Sequence, residues 1–221
     1  MLQEDYLMRM IRLATTVFAH ILGLKQIGSY QDAMAIIDQA LEVIFGLSPA
    51  LINSLDDESL TILLTSKNGL EVDKVLILAG LLKERGDIYA AIQQPDDSRL
   101  SYVRAINFYL DLFFTPAHIP PEVLTEKIEE LLLLTKDQPL TEDLNYRVFF
   151  YYDQTRQYSR AIRQLDSLLS DARPDWEVVS QARAFYQRLL ELPDEELAKA
   201  QTSRDALSTR LKQLIEPDRR V

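Results

Sequence analysis

Residues 156–169 read RQYSRAIRQLDSLL, and two other stretches of the chain repeat their pattern. Residues 28–41 read GSYQDAMAIIDQAL, and residues 100–113 read LSYVRAINFYLDLF. Each stretch contains Tyr-x-x-Ala, then Ile or Met, and further apolar residues at helical spacing. A pattern that one chain carries three times predicts a fold built from repeated helical units.

The repeated residues fall on one stripe of a helix, because residues three and four apart are neighbours on a helical surface. A small Ala lets a neighbouring helix approach closely, and a Tyr fills the gap beside it while its hydroxyl stays in water. We therefore predict a packed stripe in each copy: Tyr30, Ala33, Ile37 and Ala40; Tyr102, Ala105, Tyr109 and Leu112; Tyr158, Ala161, Leu165 and Leu168.

This stripe resembles the second helix of a tetratricopeptide repeat. The first helix of such a repeat has a Leu/Gly/Tyr spacing, which residues 82–89 contain and residues 148–152 match in part. Tyr30, Tyr102 and Tyr158 lie 72 and 56 residues apart, whereas tandem repeats have a period of about 34 residues. We therefore expect an all-α fold, an irregular tetratricopeptide-like stack of antiparallel helix pairs with inserted helices.

Apolar periodicity and helix-boundary signals predict helices over most of the chain. The predicted helices cover residues 3–24, 29–45, 49–55, 56–65, 71–93, 99–114, 121–135, 141–155, 158–172, 174–192 and 194–215, with a turn at 66–69 and a long loop at 93–99. No linker is long enough to separate domains. We predict one domain over residues 1–221, with the proline-rich joint at 115–121 as the place where a sub-boundary would fall.

Four segments together resemble a family of uncharacterised bacterial proteins of about this length. They are MLQEDYLMRMIR at 1–12, LLKERGDIYAA at 81–91, FFYYDQTRQYSRAIRQLDSLL at 149–169 and AFYQRLLELPDEELAKA at 184–200. The resemblance spans nearly the whole chain. It implies the same tetratricopeptide-like fold and no assigned activity.

Composition and charge exclude several classes of partner. The formal net charge is −10, which disfavours nucleic acid and anionic membrane because binding to a phosphate backbone needs clusters of Lys and Arg. A basic patch that forms only on folding would overturn this expectation. The chain has no Cys, the N-terminus does not read as a signal peptide, and the longest uncharged stretch, 13–24, is too short to cross a bilayer. We expect a soluble, cytoplasmic protein.

No catalytic pattern is present in the sequence. The two histidines, His20 and His118, have no partner His four residues away, so no HExxH-type metal site exists. Gly-rich phosphate loops and GxSxG elbows are absent, and Glu129-Glu130 and Glu195-Glu196 read as solvated helix faces. We therefore predict a protein that is not an enzyme and has no catalytic residue, metal or cofactor.

Candidate binding residues lie on the first helix of each repeat. If Phe149 and Tyr152 pack inside the third repeat, Tyr146, Phe150 and Asp153 share another face, which lines the concave groove in tetratricopeptide repeats. The same offset selects Lys83, Asp87 and Ala90 in the second copy and Phe18, Leu22 and Lys25 in the first. An aromatic and charged groove suits a peptide or protein. The alternative is that inserted helices cover this face and these residues are core.

These observations predict a non-catalytic module that binds a protein or peptide, with pairing to a second copy of the chain kept open. The alternative is a small-ligand sensor or regulatory subunit, with a pocket that the inserted helices close. Trp176 has two interpretations as well, either as a packing residue at a helix start or as an exposed interface anchor.

Overall fold

The structure is a computed structural model that describes residues 2–67, 69–116, 119–170 and 175–215; at 2–9, 11 and 215 it describes the backbone alone. The fold is all-α, as predicted, with one very short β-hairpin. The chain forms two compact units, Met1–Pro139 and Leu140–Val221. The joint at 115–121 lies inside the first unit, between its last two helices.

The first unit contains seven helices and the hairpin in its described residues. They are α1 Leu2–Gln26, α2 Tyr30–Phe45, α3 Pro49–Ser54, α4 Asp57–Leu63, β1 Thr65–Ser66, β2 Gly69–Leu70, α5 Val72–Ala91, α6 Pro95–Phe114 and α7 Pro121–Leu134. The antiparallel hairpin pairs Thr65 with Leu70 and Ser66 with Gly69, where the sequence predicts only a turn.

The second unit contains five helices in its described residues: α8 Glu142–Gln154, α9 Tyr158–Leu168, α10 Trp176–Leu190, α11 Asp194–Lys199 and α12 Arg204–Ile215. Helix α10 packs on α8, with the rings of Phe149 and Phe185 edge-to-face at 5.2 Å.

Three helix pairs share one kind of joint: α1 with α2, α5 with α6, and α8 with α9. In each, three residues separate the helices and the middle one is left-handed: Gly28 (φ 74°), Gln93 (φ 61°) and Arg156 (φ 56°). Each joint closes with two backbone hydrogen bonds of 2.8–3.2 Å from N–H groups to carbonyl oxygens of the first helix. In the first joint, Ser29 donates to Leu24 and Gly28 to Lys25. In the second, Gln94 donates to Tyr89 and Gln93 to Ala90, and in the third, Gln157 donates to Tyr152 and Arg156 to Asp153. This is the Schellman motif, which ends a helix and reverses the chain.

The predicted stripe is confirmed as core. Ten of its twelve residues are buried, and the first tyrosines of α2 and α9, Tyr30 and Tyr158, are half-buried.

The second copy of the Tyr-x-x-Ala pattern lies seven residues farther from its joint than the other two copies do. Tyr102 follows its left-handed residue by nine positions, whereas Tyr30 and Tyr158 follow theirs by two. Seven residues make nearly two helical turns, so the shifted copy stays on the same face. The residues that occupy equivalent positions are Ser98, Tyr102 and Ala105 in α6, Ala33, Ile37 and Ala40 in α2, and Ala161, Leu165 and Leu168 in α9, all buried.

Two predicted boundaries are wrong. The loop predicted at 93–99 is helical from Pro95, because Pro at the first helical position and acids in the first turn favour a helix start. The last predicted helix is two helices, since α11 ends in another Schellman motif at Gln201 (φ 54°). Pro174, where a helix start was predicted, lies outside the described residues, and α10 begins at Trp176 behind the N-cap Asp175.

A buried arginine of α6 holds α3 and α4 in place. Arg104 donates from Nε to Asp57 Oδ1 at 2.7 Å, and from its two terminal nitrogens to the carbonyl oxygens of Ile52 and Leu55 at 3.0–3.2 Å. These carbonyls belong to the C-terminal end of α3, whose last carbonyls have no intrahelical partner. One side chain therefore supplies hydrogen-bond donors to the C-terminal end of α3 and forms an ion pair with the first residue of α4.

Candidate functional site

Three predicted groove residues of the first unit meet in one ion-pair cluster. Lys25 Nζ, on α1, lies 2.5 Å from Asp87 Oδ2 on α5. Lys83 Nζ, one turn before Asp87, lies 3.0 Å from the same oxygen. The structure thus brings together residues that the sequence analysis selected in two separate copies.

Two further carboxylates complete this cluster. Glu84 lies 2.5 Å from Lys25, and Glu130 of α7 lies 3.1 Å from Lys83. The sequence pattern does not single out Glu84, and it indicates a solvated helix face for Glu130. The cluster joins α1, α5 and α7, and Tyr102 of α6 adds a hydrogen bond from its hydroxyl to Asp87 Oδ1 at 2.9 Å.

The charges of this cluster stabilise one another. Burial alone would raise the pKa of Asp87, but hydrogen bonds from Lys25 and Lys83 lower it. Burial alone would lower the pKa of Lys83, but Asp87, with Glu84 and Glu130, raises it. Burial, then the charge of Asp87, raises the pKa of Tyr102 to about 12.

The remaining candidates of the first unit are more dispersed. Phe18 is half-buried and lies against Gly80, since a Cβ on Gly80 would be 2.7 Å from Phe18 Cζ. Leu22, Ala90 and His20 are exposed, and His118 lies outside the described residues. Of the six predicted groove positions in this unit, three therefore contact one another, one packs against Gly80 and two are exposed.

In the second unit, the predicted aromatic face of α8 is partly covered by α10. The rings of Tyr146 and Phe150 pack edge-to-face at 4.9 Å. Tyr146 donates from its hydroxyl to Glu177 Oε1 at 3.3 Å, and Asp153 pairs with Arg188 at 2.5 Å. Tyr146, Phe150 and Asp153 are each half-buried. Helix α10 therefore covers part of the predicted face, and all three side chains keep part of their surface exposed.

An acidic pocket lies at this rim, where the N-termini of α8 and α10 come together. Its volume is about 520 Å³, and its lining residues are Thr141, Glu142, Asp143, Tyr146, Asp175, Glu177 and Val178. None of its four carboxylates forms an ion pair within the described part of the chain. Burial, then the charge of Glu177, raises the pKa of Tyr146 to about 12, so this hydroxyl keeps its proton.

Trp176 lies between two acids that line the pocket, Asp175 and Glu177, and is 79% exposed. The prediction that it packs at the helix start is wrong, and the alternative, an exposed side chain, is what the structure shows. It is the only tryptophan of the chain.

A family model matches residues 1–217 of this sequence, and it describes DUF6483, a family of unknown function. The chain belongs to this family. Searches against curated proteins and against solved structures found no match. Membership in DUF6483 assigns no activity, so a function has to be argued from the geometry.

The described residues of this DUF6483 chain also bear on metal and membrane binding. They contain no group of three or more His, Asp or Glu side chains placed to hold a metal ion. None of their helices is both long enough and apolar enough to cross a membrane.

Proposed function

We propose that the chain is a tetratricopeptide-like interaction module, not an enzyme, that acts in the cytoplasm. In this proposal its second unit binds a basic segment of a partner protein at the acidic pocket and Trp176. The class of partner, a protein or peptide, is the one predicted from the sequence. The proposed binding surface lies at the rim of the predicted aromatic face of α8, around Tyr146.

The three shared joints support the repeat architecture. Each pair of helices reverses over three residues with a left-handed middle residue, and each second helix buries a small residue (Ala33, Ser98 or Ala161) five positions later. Small residues at this position allow helices to pack closely, as in helical repeats. Such repeats commonly serve as scaffolds for binding.

The observation that carries the proposed function is the exposed Trp176 among unpaired acids. Trp is enriched at the energetic centres of protein interfaces, because its large ring loses much apolar surface to water when a partner covers it. An isolated exposed Trp would be uninformative. Here it stands beside a pocket of about 520 Å³, a size within the range that binds side chains or small ligands.

The charge of this surface selects the partner. Glu142, Asp143, Asp175 and Glu177 line the pocket, and no basic side chain among the described residues does. Acids at helix N-termini also complement the helix dipole, which accounts for their stability without a pairing base. A Lys or Arg entering the pocket would gain these carboxylates, and a second cation of the same segment would bind the exposed face of Trp176 beside it, since cations bind the π face of indole. A basic segment is therefore favoured over an acidic one.

The alternative function, a small-ligand sensor, is favoured by a different observation, a basic pocket of about 410 Å³ beside α9.

Site-specific photo-crosslinking tests the interaction proposal. Trp176 is replaced by p-benzoylphenylalanine, the cells are irradiated, and the crosslinked peptides are mapped by mass spectrometry. Ser167, an exposed residue of α9, provides the matched control. We expect crosslinks from position 176, and not from 167, to a Lys- or Arg-rich segment of one partner.

Three outcomes would contradict the proposal. One is equal labelling from both positions, and another is crosslinking from position 176 to acidic segments. The third is crosslinking only to a second copy of the chain, which would indicate self-association instead.

A further inference from the structure

The described part of the second unit concentrates basic side chains in one pocket, although the whole chain has a net charge of −10. The pocket lies at the start of α9 and the end of α11 and has a volume of about 410 Å³. Its charged lining residues are Arg156, Arg160, Arg163 and Lys199, with Glu196 as the single acid. The predicted absence of basic clusters therefore does not hold locally.

Three of these cations are held by their surroundings. Arg163 donates to Ser159 Oγ at 3.2 Å, and Ser159 in turn donates to Gln201 Oε1 at 3.1 Å. The Arg160 guanidinium lies over the ring of Tyr152, 5.5 Å from its centre. Lys199 pairs with Glu196 at 2.6 Å.

Arg156 and Arg163 have no carboxylate partner within the described residues. Arg156 occupies the left-handed position of the joint, a conformation that costs a residue other than Gly, Asn or Asp about 1 kcal/mol. Nothing in the packing of this joint requires a positive side chain there.

The N-terminus of α9 borders the same pocket, since Tyr158 and Ser159 line it. The first turn of α9 carries no acid, and its N-cap residue Gln157 makes no side-chain cap. The first N–H groups of a helix have no intrahelical acceptor, so they and the helix dipole favour an anion.

We propose that this pocket binds a phosphate-bearing small molecule. Arginine forks match the oxygens of a phosphate group in pairs, and bound phosphate would neutralise the excess of positive side chains. The size of the pocket fits a small metabolite rather than a polymer. The site is separate from the acidic pocket, so its test and the crosslinking test fail independently.

Isothermal titration calorimetry of the full chain with pyrophosphate tests this inference. Arg156→Asn removes one charge while keeping a residue that tolerates the left-handed conformation. Lys212→Gln, at an exposed position of α12, is the matched loss of charge. We expect pyrophosphate to bind the wild-type chain and the Lys212 variant alike, and Arg156→Asn and Arg163→Gln each to weaken binding about tenfold or more.

The thermal unfolding of Arg156→Asn separates a binding role from a structural one. We expect its midpoint to stay the same or rise while pyrophosphate binding is lost. The inference would be overturned if pyrophosphate gave no binding heat, if sulfate at equal ionic strength bound as tightly, if a glutamate-rich peptide bound in its place, or if Lys212→Gln weakened binding as much as Arg156→Asn.

Discussion

The close approach of α5 and α6 depends on Gly86. A Cβ at this position would lie 2.4 Å from Tyr102 Cε1 and 2.5 Å from Cδ1, about 1 Å inside ordinary carbon contact. The Tyr102 ring cannot easily move away, because it is 6% exposed and its hydroxyl donates to Asp87. Overpacking of this kind costs about 1–3 kcal/mol.

Gly86→Ala also has a favourable contribution, since Ala in a helix interior is better than Gly by about 1 kcal/mol. If Tyr102 is displaced, its hydrogen bond to a charged group is lost as well, at a cost of about 1.5–3 kcal/mol. We therefore expect Gly86→Ala to lower the free energy of unfolding by about 2 kcal/mol.

Urea unfolding followed by circular dichroism measures this effect. Gly23→Ala is the matched control, because Gly23 is exposed within α1 and a Cβ there would contact nothing within 4 Å. Gly23→Ala should raise the free energy of unfolding by up to about 1 kcal/mol. In a Tyr102→Ala background the loss from Gly86→Ala should vanish. The reasoning is refuted if Gly86→Ala is as well tolerated as Gly23→Ala in the wild-type background.

Three further predictions concern one residue each. Arg104→Ala should lower the free energy of unfolding in urea by about 3 kcal/mol, because the buried end of α3 loses its hydrogen-bond donor and Asp57, which keeps the hydrogen bond from Asn107, loses its ion pair. Arg12→Ala at an exposed position should change little, and equal effects would contradict the role of Arg104. The lysine partners of Asp87 lower its pKa below that of an unfolded aspartate, about 3.9. The stability that the Asp87 carboxylate contributes is therefore complete above that pH and is lost as the pH falls through the folded pKa. The free energy of unfolding, measured from neutral to acid pH, should fall less steeply in Asp87→Asn, and an unchanged slope would refute this. Relative to free tryptophan in solution, Trp176 fluorescence should be quenched more by Cs⁺ and less by I⁻, since the acids around it attract cations and repel anions, and the reverse pattern would contradict an acidic setting.

The helix pattern could be predicted from sequence where local signals agree. The sequence predicts the buried stripe around Ala33 and Ala161 correctly, because each stripe begins directly after a left-handed joint and repeats at helical spacing. It does not predict the start of α6, because Pro95 and the acids after it serve equally well in a loop or a first helical turn. The break at Gln201 has no Gly or Pro to mark it, so only packing reveals it.

Part of the ion-pair cluster could be predicted from sequence. The offset taken from the face of α8 selects Lys25, Lys83 and Asp87, and these three side chains meet in the structure. Glu130 joins them only because α7 folds back on the unit, which local periodicity does not encode. The exposure of Trp176 likewise depends on which helix faces remain uncovered.

The proposed binding of a basic segment at the acidic pocket and Trp176 can be measured directly. Because Trp176 is the only tryptophan, a titration of its fluorescence with a lysine-rich helical peptide tests the claim at the site itself. A glutamate-rich peptide of the same length is the probe control. Glu142→Gln/Glu177→Gln removes two pocket charges, and Glu191→Gln/Glu195→Gln removes two exposed charges elsewhere in the unit.

We expect a saturable fluorescence change with the lysine-rich peptide alone, weakened by added salt. The change should be lost in the pocket double variant and retained in the matched one. An unchanged spectrum, or equal responses to both peptides, would contradict the binding of a basic segment at this pocket.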